Sequence, residues 1–127
     1  EKMSLCYDIS SSYHGSKGIL TVFAGIDCKD YELVQSEILH QLEVCQQGNI
    51  TDAELAAAKH ALISQLQATH DSPGAIEGYY ATGALSGMGM TPAQYMEKVE
   101  QVTLSQVVDA ANTVKLHSSF FLKGVSA

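Results

Sequence analysis

The alternation of apolar and polar residues changes period twice along the chain, and each change marks a change of element. Leu5, Tyr7 and Ile9 alternate with Ser4, Asp8 and Ser10, the period of two that belongs to a strand with one wet face. Residues 11–16 (Ser-Ser-Tyr-His-Gly-Ser) read as a break. Residues 19–24 (Ile-Leu-Thr-Val-Phe-Ala) are apolar on both faces and β-branched, as in a buried central strand. Together these segments predict an antiparallel pair. From Asp30 the period lengthens: Tyr31, Val34, Ile38, Leu42 and Cys45 fall at steps of three and four, and Gly48 is the residue type that stops a helix in the left-handed region.

Four further helices are announced by their caps. Thr51-Asp52-Ala53-Glu54 is a capping box, in which hydroxyl and carboxylate satisfy each other's orphan amides, and Leu55, Leu62 and Leu66 then mark an inner stripe up to about Thr69. Ser72-Pro73 and Thr91-Pro92 each set a cap residue before a proline at the first helical position. Thr103-Leu104-Ser105-Gln106 is a second box. Residues 83–90 (Gly-Ala-Leu-Ser-Gly-Met-Gly-Met), rich in glycine, read as a loop after a helix containing Gly78, Tyr79 and Tyr80. Residues 117–124 return to strand character, with 120–123 expected in the same sheet. The predicted order is β-β-α-α-α-α-α-β: an α+β fold with about five helices on one face of a small antiparallel sheet.

The length, 127 residues, fits one domain with a sizeable core, and the 46% apolar share against 17% charged residues argues for a folded chain. With 14 acidic residues against seven lysines and no arginine, the chain lacks the basic clusters that meet phosphate, so nucleic acid and anionic membrane are not expected partners. Three cysteines (Cys6, Cys28, Cys45) without CxxC spacing suit neither a disulfide framework nor a zinc knuckle, and a cytoplasmic setting is expected. No apolar run is long enough to span a bilayer. A first residue of Glu, followed at once by strand-like sequence, leads us to expect a segment of a longer protein.

Metal and nucleophile chemistry are poorly served by the spacing. His40 and Cys45 lie five apart, His60 and His70 ten apart, and neither HxxEH nor HExxH occurs, so no motif pairs a zinc-activated water with a glutamate base. Ser10, Ser11 and Ser12 near His14 lack a GxSxG frame and are ordinary turn material. Asp52 and Glu54 suit a helix start; Glu37, Glu43 and Glu97 suit solvated faces. We expect no catalytic residue and no metal ligand in this chain.

The order of short motifs resembles one family throughout: Glu1-Lys2, Ser4-Leu5, Tyr7, Lys17-Gly18, Ala24-Gly25-Ile26-Asp27, Tyr31, Gly48, Thr51, Glu54-Leu55, Lys59, Leu62-Ile63, Asp71-Ser72-Pro73, Ile76-Glu77, Tyr80, Val102-Thr103, Val107 and Phe121-Leu122-Lys123-Gly124. Each piece is weak alone; in this order and spacing they resemble the insulinase-like (pitrilysin-type) zinc peptidases, in particular the bacterial branch that pairs an intact peptidase with a probable inactive homologue. The resemblance implies that residues 1–127 are the carboxy-terminal part of the second of two α+β repeats enclosing a peptide-degrading chamber. Zinc is then expected on HxxEH in the first repeat of the parent protein or in a partner subunit, not here.

In that family an Arg and a Tyr, seven residues apart, hold the substrate backbone near the metal. Tyr7 falls on the Tyr, and the Arg would fall immediately before Glu1. Both groups can donate to a peptide carbonyl or a developing oxyanion. Tyr7 is therefore the expected substrate-binding residue; the alternative is a strand aromatic with no further role. On a regular strand Tyr7 would share its face with Leu5 and Ile9, a tension that a bulge or an edge position would relieve. The implied function is a non-catalytic segment of the chamber wall, the alternative an interaction or scaffold domain of an inactive homologue. Expected partners are a peptide substrate and the other repeat or a paired subunit; a second copy of the chain is also expected, joined near the amino terminus by strand addition or sheet stacking, as a consequence of the missing part of the repeat and not as the biological pairing.

Overall fold

A computed structural model describes residues 5–124, so Glu1, Lys2 and Ser4 of the motif series lie outside the described residues. The element order is β1 (Asp8–His14), β2 (Ile19–Gly25), a short 3₁₀ turn (Cys28–Asp30), α1 (Tyr31–Gln46), α2 (Asp52–Ala68), a second 3₁₀ turn (Thr69–Asp71), α3 (Pro73–Ser86), α4 (Pro92–Gln101) and α5 (Leu104–Thr113). The class is α+β, with five helices and one antiparallel pair of strands. The chain divides into two compact units, one formed by residues up to 47 and from 108 onward, the other by residues 48–107.

In the first unit β1 and β2 pair from Asp8↔Gly25 to His14↔Ile19. Residues 11–14, read as the start of a break, are strand: Ser11 and Ser12 lie opposite Val22 and Thr21, so a strongly β-forming partner overrides their turn preference. The turn is confined to the residues between the strands, where Lys17 N–H donates to the His14 carbonyl at 3.0 Å and Gly18 takes φ +62°. There only glycine avoids the Cβ penalty.

Two expectations about the sheet are corrected. Residues 19–23 of β2 are exposed, so this strand is not buried as a central strand would be. Residues 120–123 join no strand among the described residues; the tail instead runs extended, with Phe121 stacked on Tyr31 at a ring-centroid distance of 4.4 Å. Ser119 and the Tyr31 hydroxyl share a hydrogen bond of 3.1 Å. The aromatic contact has taken the place of the backbone ladder.

The stripe of α1 behaves as its spacing requires, with Val34 buried and Tyr31, Ile38, Leu42 and Cys45 half-buried. The end of α1 is held to the end of α5 by reciprocal amides: Gln46 Nε2 donates to the Ala111 carbonyl at 3.1 Å, and Asn112 Nδ2 donates to the Gln46 carbonyl at 3.1 Å.

In the second unit α2 packs against α4, and Lys59 Nζ, on α2, donates to the Glu100 carbonyl at 2.9 Å. The boxes form as the sequence predicts: the Thr51 hydroxyl accepts from Glu54 N–H while Thr51 N–H donates to the Glu54 carboxylate. Thr103 with Gln106 repeats the arrangement, and Thr91, expected only as a cap before Pro92, forms a further box with Gln94. Ser72 precedes α3 without a side-chain capping bond, leaving Pro73 as the start signal.

The glycine-rich loop is another correction. Helix α3 continues through Gly83 to Ser86 and ends at Gly87, φ +73°, with Met88 N–H donating to the Gly83 carbonyl at 2.8 Å. Gly83 is buried there because a Cβ would meet the Met88 carbonyl oxygen at 2.9 Å. The core is thinner than the length suggests: among the described residues the buried hydrophobic side chains are Val34 and Val99.

Candidate functional site

Tyr7 lies just before β1 and is 81% exposed. Its backbone N–H donates to the Gly25 carbonyl at 2.7 Å, although Gly25 is already the register partner of Asp8. Two consecutive residues thus oppose one, which is the geometry of a β-bulge. The bulge interrupts the alternation that would have set Tyr7 beside Ile9. Tyr7 joins Asp8, Ser10 and Ser12 instead, on the face that β2 completes with Thr21, Phe23 and Ile19, while Ile9, Ser11, Tyr13, Leu20 and Val22 share the other.

There the Tyr7 hydroxyl donates to Asp27 Oδ1 at 2.8 Å. Asp27 also has Lys29 Nζ at 3.7 Å, a loose and exposed ion pair of little energetic weight. The hydrogen bond to Asp27, then its negative charge, then slight burial and the charge of Asp30, hold the Tyr7 phenol above its ordinary pKa. Tyr7 therefore stays a neutral hydroxyl, able to donate one hydrogen bond and to accept another. Asp27 stood in the sequence only as one letter of a motif; its role as partner of Tyr7 needed the hairpin to bring together residues 20 apart in the chain.

A second concave surface lies wholly within the unit of residues 48–107. Leu62, Leu66, Gly78, Tyr79, Met88 and Tyr95 line an open groove of about 410 Å³, with Gln65, Thr69 and Thr82 at its polar positions. The Tyr79 hydroxyl donates to the Met90 carbonyl at 3.1 Å, which ties α3 to the segment before α4. Burial, followed by the neighbouring Tyr80 and Tyr95, pushes its phenol above the ordinary value. Sequence periodicity missed this surface because its walls come from three helices and a loop.

Among the described residues no three His, Cys, Asp or Glu side chains converge to hold a metal ion. Cys6, Cys28 and Cys45 are free thiols. No helix of the described residues is long and apolar enough to cross a membrane.

Residues 1–62 match the family described as "Peptidase M16 inactive domain". Over 124 residues, 98% of this chain and 29% of the relative, the sequence is 27% identical to the probable inactive metalloprotease YmfF of Bacillus subtilis (strain 168). The fold is similar to the crystal structure of a conserved protein from Enterococcus faecalis V583, with a TM-score of 0.76 and 29% identity, covering 88% of this chain and 27% of that one. The chain thus spans under a third of the length of the proteins it matches. In sequence, the chain resembles the insulinase-like (M16) peptidases and their probable inactive homologues.

Proposed function

We propose that this chain is a non-catalytic segment of an insulinase-like peptidase homologue, that it forms part of the wall of a peptide-binding chamber, and that Tyr7 binds the backbone of the peptide held there. The observation that carries this reading is the placement of Tyr7: exposed, beside Asp8 and the serines of β1, its neutral hydroxyl steadied by Asp27. A phenol held this way keeps one lone pair open to a peptide N–H, and it donates to a carbonyl once it turns from Asp27. Similarity to an inactive domain and to a probable inactive metalloprotease supports the non-catalytic part. In this reading residues 1–127 are the carboxy-terminal part of a repeat, working in the cytoplasm, and any zinc belongs to another part of the parent protein or to a paired subunit.

Titration of the isotope-labelled chain with a short unstructured peptide tests the proposal. Amide signals of Tyr7, Ser10 and Asp27 should move, and Tyr7→Phe should weaken binding by roughly three- to tenfold, the worth of one hydrogen bond. Shifts confined to residues 48–107, or a Tyr7→Phe variant that binds as tightly as the parent, would sink the role given to Tyr7.

The probable inactivity of the Bacillus relative favours a second reading, a scaffold domain that binds a partner subunit and no peptide. Whether the parent sequence carries HxxEH upstream separates the two.

A further inference from the structure

The first unit contains two incomplete pieces of sheet. Among the described residues strand β1 is paired on one side only, by β2, and a two-stranded ribbon is marginal without a third strand or a covering layer. Residues 115–124 run extended, and among the described residues no backbone-to-backbone hydrogen bond reaches them. Phe120 and Leu122 are 87% and 81% exposed on one side of this segment, while Phe121 faces away onto Tyr31. Such a segment is a strand donor, and the outer edge of β1 is an acceptor.

Three requirements select a single register. An antiparallel tail that covers all seven residues of β1 sets His14 opposite 117 and Asp8 opposite 123. The parity of that alignment sends Phe120 and Leu122 to the face of Ile9 and Tyr13, the apolar face of the hairpin. It also puts Lys123 directly across from Asp8, opposite charges at a cross-strand pair. The outer edge of β2 offers no such match, since residues 19–25 carry no charge.

We propose that the open edge of β1 accepts residues 117–123 of a second copy of this chain, each copy donating its tail to the other in a two-fold symmetric dimer. Reciprocity follows because donor and acceptor lie in one chain, which is the condition for a closed isologous contact. Charge complementarity between Asp8 and Lys123 commits the edge to this occupant over an arbitrary apolar peptide.

Sedimentation velocity on the whole chain across the micromolar range tests the proposal. The parent chain should dimerise reversibly. Leu122→Pro, in a segment with no backbone-to-backbone hydrogen bond among the described residues to disrupt, should raise the dimer dissociation constant about tenfold or more while helical circular dichroism stays unchanged. Asp8→Lys should weaken the dimer and the double change Asp8→Lys with Lys123→Asp should restore it. A parent chain that stays monomeric overturns the proposal, as does a Leu122→Pro variant that dimerises like the parent. A monomer whose tail amides resist hydrogen exchange would overturn it too, because the tail would then be paired within its own sheet.

Discussion

Two glycines in α3 offer the same chemical change with opposite outcomes. At Gly78 a Cβ has nothing within 4 Å, so Gly78→Ala should only gain helix propensity, about 1 kcal/mol. At Gly83 the same propensity gain is opposed, because the new Cβ would stand 2.9 Å from the Met88 carbonyl oxygen. That oxygen is backbone, and the turn carrying it is closed by the 2.8 Å bond from Met88 N–H to the Gly83 carbonyl, so it cannot swing aside as a long side chain would. Overpacking of this kind costs ~1–3 kcal/mol, leaving Gly83→Ala destabilised by about 1 kcal/mol net. The two variants should then differ by about 2 kcal/mol, equivalent to a spread in midpoint on the order of 8 °C. Urea and thermal unfolding followed by circular dichroism, run on both variants beside the parent, measures the difference. If Gly83→Ala proves as stable as Gly78→Ala, the tight approach of α3 to the Met88 carbonyl is not real, and the account of why this helix needs glycine there fails.

Other outcomes follow from the same structure. Thr51→Ala removes a complete capping box at the start of α2 and should lower stability by about 1 kcal/mol in urea melts, with Glu54→Ala losing the reciprocal half. Val99→Ala empties one of the few buried apolar positions and should cost about 2 kcal/mol, whereas truncating exposed Leu85 should change little. The phenol of Tyr7 is raised in the folded chain, so its bond to Asp27 supports the fold at all pH values below the ordinary tyrosine range and is lost as pH climbs through the raised value. NMR titration of the tyrosine ring carbons should accordingly show the Tyr7 transition move down toward the ordinary value in Asp27→Asn, with Tyr79 unmoved.

The parts of this molecule that were legible in its sequence are those decided by neighbours in the chain. Thr51 with Glu54, and Thr103 with Gln106, form their boxes within three residues, and Tyr31, Val34, Ile38, Leu42 and Cys45 share one helical face by spacing alone. What depends on distant partners was misread. Ser11 and Ser12 have turn chemistry, but pairing with Val22 and Thr21 makes them strand. Glycines at 83 and 87 looked like a flexible loop; one is a close approach inside α3 and the other its left-handed terminus. Residues 120–123 have strand composition and no ladder, because the Tyr31 ring captures Phe121. Tyr7 was identified as a candidate by resemblance, while its tie to Asp27 was hidden until β1 and β2 were folded together.

The bulge at Tyr7 and Asp8 acts on the strand as a change of reading frame. Before it, odd-numbered positions and the wet face go together at Tyr7; after it, even-numbered positions take the wet face at Ser10 and Ser12. Substitutions leave that frame untouched, since it is set by how many residues oppose Gly25 and not by which ones. A single-residue deletion at position 8 would close the extra step, and its effect would run upstream only: Ile9 to His14 would keep their partners, while Tyr7 would take the place opposite Gly25 as the direct neighbour of Ile9. Chain length at this one point fixes which residue stands opposite Gly25; the phenol would keep the face that Asp8 holds and move one step along the strand.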